Sequence, residues 1–213
     1  MINIEIFTFN PFQENTYLLY DEQGNCAIID PGMSNYQEEE ELAQFIAQKQ
    51  LRPILLLNTH CHIDHIIGNK YIYDQFGLIP QFHEGELPVL IAMENYGPER
   101  GFRYEKSPIP TEFLPASGEI QFGAHRLAII FAPGHSPAHL CFYNKEQNFL
   151  IGGDVLFRSS IGRTDLPGGN HEQLLHSIRT NIYSLPEQTI VYPGHGPATT
   201  IAFEKLHNPY VSG

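Results

Sequence analysis

Apolar and polar positions alternate over residues 2–9, which predicts a strand. Residues 16–20 and 26–29 predict two more, joined by a turn around Gln23-Gly24-Asn25. Pro31-Gly32 then breaks the chain. Ser34 and Gln37 stand at capping-box spacing, and Leu42, Phe45 and Ile46 form one apolar helix face. Pro53 precedes a continuous apolar run, 54–57, read as a buried strand. Ile63, Ile66 and Ile67 share the face of a following helix, with Gly77 as its stop. Residues 84–95 predict a further helix. Gly97, Pro98, Gly101, Pro108 and Pro110 interrupt a polar stretch, so residues 96–111 predict a long loop, either a substrate lid or a plain surface connection.

The second half returns to strands at 119–122, 125–131, 140–143 and 149–151. Asn170 and Gln173 suit the start of a helix running to Tyr183. A strand at 189–192 and a helix at 199–206 complete the pattern. Strands followed by helix in each half predict an α/β (α+β) fold, with two sheets and helices outside them. The length of 213 residues suits one domain, 1–213.

Composition narrows the partners. A formal net charge of -12 argues against nucleic acid and against an anionic membrane surface, since both need a basic face. The acidic run Glu38 to Glu41 reads as a solvated helix start. Three cysteines, Cys26, Cys61 and Cys141, form no C-x-x-C pair, which predicts a reducing compartment. Residues 1–5 show no leader pattern, and no apolar run approaches the ~18 residues of a membrane span. The expectation is a cytoplasmic protein.

The chemistry concentrates in Thr59-His60-Cys61-His62-Ile63-Asp64-His65. So many ligand-type side chains in one short segment are best stabilised by a cation. Three more candidates follow predicted strands: His135 after Pro133-Gly134, Asp154 after Gly152-Gly153, and His195 after Pro193-Gly194. If those strands lie side by side, their carboxyl ends share an edge with His60. Seven ligands, His60, His62, Asp64, His65, His135, Asp154 and His195, exceed one tetrahedral zinc but suit two metals sharing a carboxylate and a hydroxide. Cys61 is read as pointing away. His139, four residues after His135, is a candidate supporting residue. His171-Glu172 followed by His176 misses the H-E-x-x-H spacing by one place. His83, His125 and His207 have no ligand context.

These motifs resemble the metallo-β-lactamase superfamily, and the match spans nearly the whole chain. More narrowly, the sequence resembles the short glyoxalase II-like hydrolases, through Asn15-Thr16-Tyr17-Leu18, Ile29-Asp30-Pro31-Gly32, Gly162-Arg163-Thr164-Asp165 and Leu206-His207-Asn208-Pro209. The resemblance implies a four-layer αβ/βα sandwich with two divalent metals, zinc first and iron or manganese next, at one edge. It implies His60, His62 and His135 on one metal, Asp64, His65 and His195 on the other, and Asp154 between them. Asp64 and Asp154 would then hold a bridging hydroxide that attacks a small-molecule thioester. Asp30 matches a family aspartate near the site, or serves the strand-end turn. Arg163 either anchors an anionic substrate or pairs with Asp165, and the pairing is the preferred reading. Full-length glyoxalase II carries an extra C-terminal helical region for glutathione, which this sequence is not expected to share. The alternatives are a mononuclear-iron persulfide dioxygenase using His60, His135 and Asp154, a lactonase or other hydrolase of the superfamily, and a non-catalytic metal-binding module.

Overall fold

A computed structural model describes residues 1–212. The first sheet has the order β1-β2-β3-β4, with β1 Asn3–Phe9, β2 Glu14–Tyr20, β3 Asn25–Ile29 and β4 Arg52–Leu57. The first three strands are antiparallel and β4 runs parallel to β3. The second sheet is built from β5 Ser117–Phe122, β6 His125–Phe131, β7 Leu140–Asn144, β8 Phe149–Gly153, β11 Ile190–Pro193 and β12 Thr199–Thr200, in the order β12-β11-β8-β7-β6-β5. A small ribbon pairs β9, Leu156–Phe157, with β10, Ser160–Ile161.

The period of two decides the layering. Along β2 and β3, Tyr17, Leu19, Ala27 and Ile29 face the second sheet, where they pack with Leu127, Leu140, Phe142 and Ile151. Their alternates Leu18, Cys26 and Ile28 face outward, onto Leu42 and Ile46 of α1 (Tyr36–Gln48) and Ile72 of α3 (Asn69–Phe76). In the second sheet Cys141, Leu150 and Val191 point the other way. They meet Leu174 of α5 (His171–Ser177), Ile178 and Ile182 of the π-helical segment Ile178–Ile182, and Ile201 of α6 (Ile201–His207). Each sheet is thus buried on both faces, which gives the four-layer αβ/βα sandwich.

Several element ends depart from the sequence reading. The α1 cap is Asn35, whose side chain accepts from the Gln37 and Glu38 N–H groups, and not Ser34. Glu38 at the third helical position reaches past the cap to the Ser34 N–H, so the reciprocal bond of a capping box is displaced by one residue. The helix after the ligand segment is two pieces, α2 (Ile63–Ile66) and α3, and Gly77 ends the second with a left-handed φ of 70°. Residues 84–86 form a 3₁₀ turn before α4 (Leu87–Glu99). Helix α4 therefore runs through the start of the predicted loop. Gly97 permits this, because a Cβ there would press into the Tyr104 side chain packed against it. The helix expected over 170–183 changes to π-type after Ser177, and residues 199 and 200 pair as β12 before the last helix begins.

Candidate metal centre

Strands β6 and β8 are both antiparallel to β7, and β11 is parallel to β8. Their carboxyl ends consequently meet at one edge of the second sheet. His135, Asp154 and His195 lie in the turns that follow these strands, and His60 follows β4 on the facing sheet. The edge brings all seven predicted side chains together.

They fall into two groups. His60, His62 and His135 offer ring nitrogens within 4.8 Å of one another, as do the ligand atoms of Asp64, His65 and His195. Asp154 faces both groups. Its Oδ2 lies 3.4 Å from His135 Nε2 and 3.5 Å from His195 Nε2, and its Oδ1 lies 3.5 Å from His65 Nε2.

Outer hydrogen bonds set the direction of each ring. His135 Nδ1 donates to the Arg163 carbonyl at 2.7 Å, and His195 Nδ1 to the Phe12 carbonyl at 3.1 Å. His65 Nδ1 lies 3.1 Å from Asp30 Oδ2, and His60 Nδ1 lies 3.0 Å from Thr59 Oγ1. This network assigns the proton of these four rings to Nδ1 and turns Nε2 inward. His62 is the reverse, with Nδ1 facing His135 Nε2 at 2.9 Å.

A cation suits this arrangement. His60 Nε2 is 3.3 Å from His135 Nε2, close to the ~3.3 Å edge of a tetrahedron with ~2.0 Å zinc–nitrogen bonds. Bare ring nitrogens so close repel unless a proton or a metal lies between them. Protons are disfavoured there: burial and the neighbouring His135 hold His62 down to about 3, and burial also holds His60 and His135 low. In addition, His65 Nε2 and Asp154 Oδ1 are buried without a hydrogen-bond partner, a cost of about 1–3 kcal/mol each that a bound ion would remove.

The second group is electrostatically different. Burial opposes a charge on His195, but bonds to Asp154 and Asp64 outweigh it and lift the ring to about 9. His65 is likewise raised, because Asp154 and Asp64 overcome its burial. Burial works against the Asp154 carboxylate, yet His65 and His195 hold its pKa well below the ordinary range.

Asp30 takes a left-handed φ of 51° at the end of β3, so it is both the turn residue and the partner of His65. His60, His65 and Asp30 also form a close group, but Asp30 Oδ2 is already occupied by Thr59 Oγ1 at 2.6 Å. His139 lies outside both groups. It stacks on His60 with centroids 4.8 Å apart, and its Nε2 accepts the Asp154 N–H at 3.0 Å. Cys61 is buried with Phe82 and Leu90, away from the edge. Arg163 binds Asp165 through two 2.7 Å hydrogen bonds, and both side chains are exposed.

Two buried acids escaped the sequence reading. Glu14 lies 3.8 Å from His65 Nδ1, behind Asp30, and burial raises its pKa strongly. Glu86 accepts from the Cys61 N–H at 3.0 Å, the Ala138 N–H at 2.8 Å and the Ser136 hydroxyl, so it ties the His60–His62 segment to the His135 turn. Glu86 had only its capping position ahead of α4 as a signal. Asn15, in the Asn-Thr-Tyr-Leu motif, donates to the carbonyls of Pro193 and Gly196 and holds the His195 turn against the first sheet.

The metallo-beta-lactamase superfamily model matches residues 9–195. The chain belongs to this superfamily. It is 37% identical over 205 residues to a probable metallo-hydrolase of Bacillus subtilis, covering 95% of this chain and 94% of that protein. It is 36% identical over 213 residues to hydroxyacylglutathione hydrolase GloC of Haemophilus influenzae, covering 99% of each. Among solved structures, the B3 metallo-beta-lactamase BLEG-1 superposes with a TM-score of 0.87 at 35% identity, over 99% of this chain and 100% of that one. The protein TTHA1623, crystallised in a di-iron-bound form, gives the same score and identity over 97% and 100%.

Proposed function

We propose that the protein is a metal-dependent hydrolase that cleaves a small-molecule thioester. The observation that carries this reading is the position of Asp154 between two three-residue ligand groups, at the floor of a cleft of about 850 Å³. His60, His62 and His135 would hold one divalent cation and Asp64, His65 and His195 a second, with Asp154 shared. Bound there, the pair supplies Lewis acidity for a carbonyl and lowers the pKa of water toward ~7.

The protein's own groups do the rest. The carbonyls of Arg163 and Phe12 and the Asp30 carboxylate fix the rings, so the ligand atoms stay aimed at the floor. Asp64 and Asp154 both face imidazoles, so they act as ligands and not as proton carriers. A thiolate leaving group, with a thiol pKa of ~8.5, needs no dedicated acid. That matches a floor where Asp64 and Asp154 both lie against the His195 ring. The similarity to a hydroxyacylglutathione hydrolase supports the thioester; the similarity to a B3 lactamase keeps amide and lactone substrates as the comparison class. A single-iron dioxygenase site at His60, His135 and Asp154 would leave His62, Asp64, His65 and His195 convergent without a role.

The test loads purified protein with zinc, iron or manganese. It then follows S-lactoylglutathione and an N-acetylcysteamine thioester by loss of thioester absorbance, and oxygen uptake with glutathione persulfide. Thioester loss without oxygen uptake is expected. Oxygen uptake with one iron per chain and intact thioester would overturn the reading.

A further inference from the structure

The cleft above the ligand floor has its own chemistry. Helix α4 forms one wall. Pro88, Ala92, Asn95, Tyr96 and Glu99 line it at spacings of four, seven, eight and eleven, which places them on one helical face. The inner side of the same helix is anchored by Leu90, buried against Cys61 and Phe82, so the wall is fixed. Phe157, Ile161, Leu166 and Pro167, from the segment after β8, line the cleft as a second apolar wall. Of the two readings of residues 96–111, the surface connection fits better: from that range only Tyr96 and Glu99, both helical, line the cleft.

Charge is nearly absent above the floor. Arg163 is the only lysine or arginine that lines the cleft, and Asp165 occupies its guanidinium through Nε and NH2. The one carboxylate of the wall is Glu99. A glutathione moiety carries two carboxylates and one ammonium. Two carboxylates here would meet no free cation among the described lining residues and would lose water without compensation.

We propose that the cleft selects an uncharged, apolar acyl or carrier group longer than lactoyl, held between Ala92 of α4 and the Phe157–Leu166 wall. This rests on the hydrolase reading for where the reacting carbonyl sits, and names the substrate class for that site. Ala92 is exposed in the cleft and has the smallest side chain on its face, so it sets the room available. An apolar chain that enters a preformed cleft should gain about 0.8 kcal/mol per buried methylene, which is roughly fourfold in affinity.

The experiment uses non-hydrolysable thioethers, so binding and reaction are read apart. S-butyl, S-hexyl and S-octyl N-acetylcysteamine, and the matching S-alkylglutathiones, are titrated calorimetrically into metal-loaded protein. Affinity is expected to rise between twofold and fourfold per methylene, with a negative heat-capacity change. The glutathione conjugates are expected to bind no tighter than the uncharged ones. Ala92→Glu puts a charge in the cleft at only a small loss of helix propensity. It is expected to weaken the octyl ligand at least tenfold while leaving the thermal transition in place. Affinity independent of chain length, or tighter binding of the glutathione conjugates, overturns the proposal. A chain-length dependence without turnover of any thioester supports the cleft assignment and removes the thioester reaction. Turnover of S-lactoylglutathione without any chain-length dependence does the opposite.

Discussion

Asp30 Oδ2 lies 3.1 Å from His65 Nδ1, and the same oxygen accepts the Thr59 hydroxyl at 2.6 Å. Thr59 Oγ1 in turn is 3.0 Å from His60 Nδ1. One carboxylate therefore orients a ring in each ligand group, His65 directly and His60 through a hydroxyl whose single proton points to Asp30. Asp30 Oδ1 also accepts the Thr59 N–H at 2.7 Å, which locks the end of β3 to the segment after β4.

Asp30→Asn keeps the size and tolerates the left-handed backbone, but removes the charge. Affinity for both metals should fall, by roughly 10–100-fold, as for other residues that orient ligands from behind. Competition with a chromogenic chelator measures it. An unchanged affinity would show that Asp30 serves only the turn.

Glu86 is buried and faces the N–H groups of Cys61 and Ala138 with separate oxygens. Glu86→Gln must turn an NH₂ toward one of those donors. A loss of about 1–3 kcal/mol is expected for the unsatisfied pair, read as a lower thermal midpoint in the metal-free protein. A midpoint within error of the parent would contradict the bridging role.

The two ligand groups should also differ in their proton balance. His62 titrates near 3 in the folded protein against about 6.5 unfolded. Between those values the unfolded chain binds the extra proton, so metal-free stability should fall as pH drops from 6.5 toward 3. His195, lifted to about 9, has the opposite sign. Its contribution is complete below 6.5 and is lost as pH rises through 9. At pH 7 a cation entering the His60 group should displace almost no proton, whereas one entering the His195 group should displace protons from both His195 and His65. Calorimetry in buffers of different ionisation heat separates the two, and His195→Ala should reduce the later release to the share that His65 supplies.

Gly194 has no room for a side chain. A Cβ there would overlap the Asp154 carboxylate and crowd the His65 ring. Gly194→Ala should therefore displace the shared ligand and lower activity by at least a hundredfold, with little effect on the sheet that ends at Pro193. Circular dichroism beside turnover checks this.

Much of this was legible in the sequence because strand ends announce themselves. His135, Asp154 and His195 each follow an apolar run and a glycine-containing turn, and His60 follows 54–57 after Asn58-Thr59. What the sequence hid depends on contacts remote in the chain. Glu14 reads as a polar residue just ahead of a strand, yet it is fully buried behind Asp30. Glu86 sits in a polar Glu-Gly-Glu run and meets its partners 25 to 52 residues away. Gly97-Pro98 looks like a helix stop. Pro98 loses only one bond near the end of α4, and packing of Tyr104 on Gly97 outweighs it. The β9–β10 ribbon spans two residues per strand, too short to leave a period.

The number of metal ions that the fold holds separates a dinuclear site from a mononuclear one. Titration of the metal-free protein, followed by elemental analysis after gel filtration, should give two equivalents of metal per chain. His62→Ala and His195→Ala should each reduce this to one, and Asp154→Asn should weaken both. A parent protein that saturates at a single metal, with His195→Ala unchanged from it, would contradict the dinuclear site.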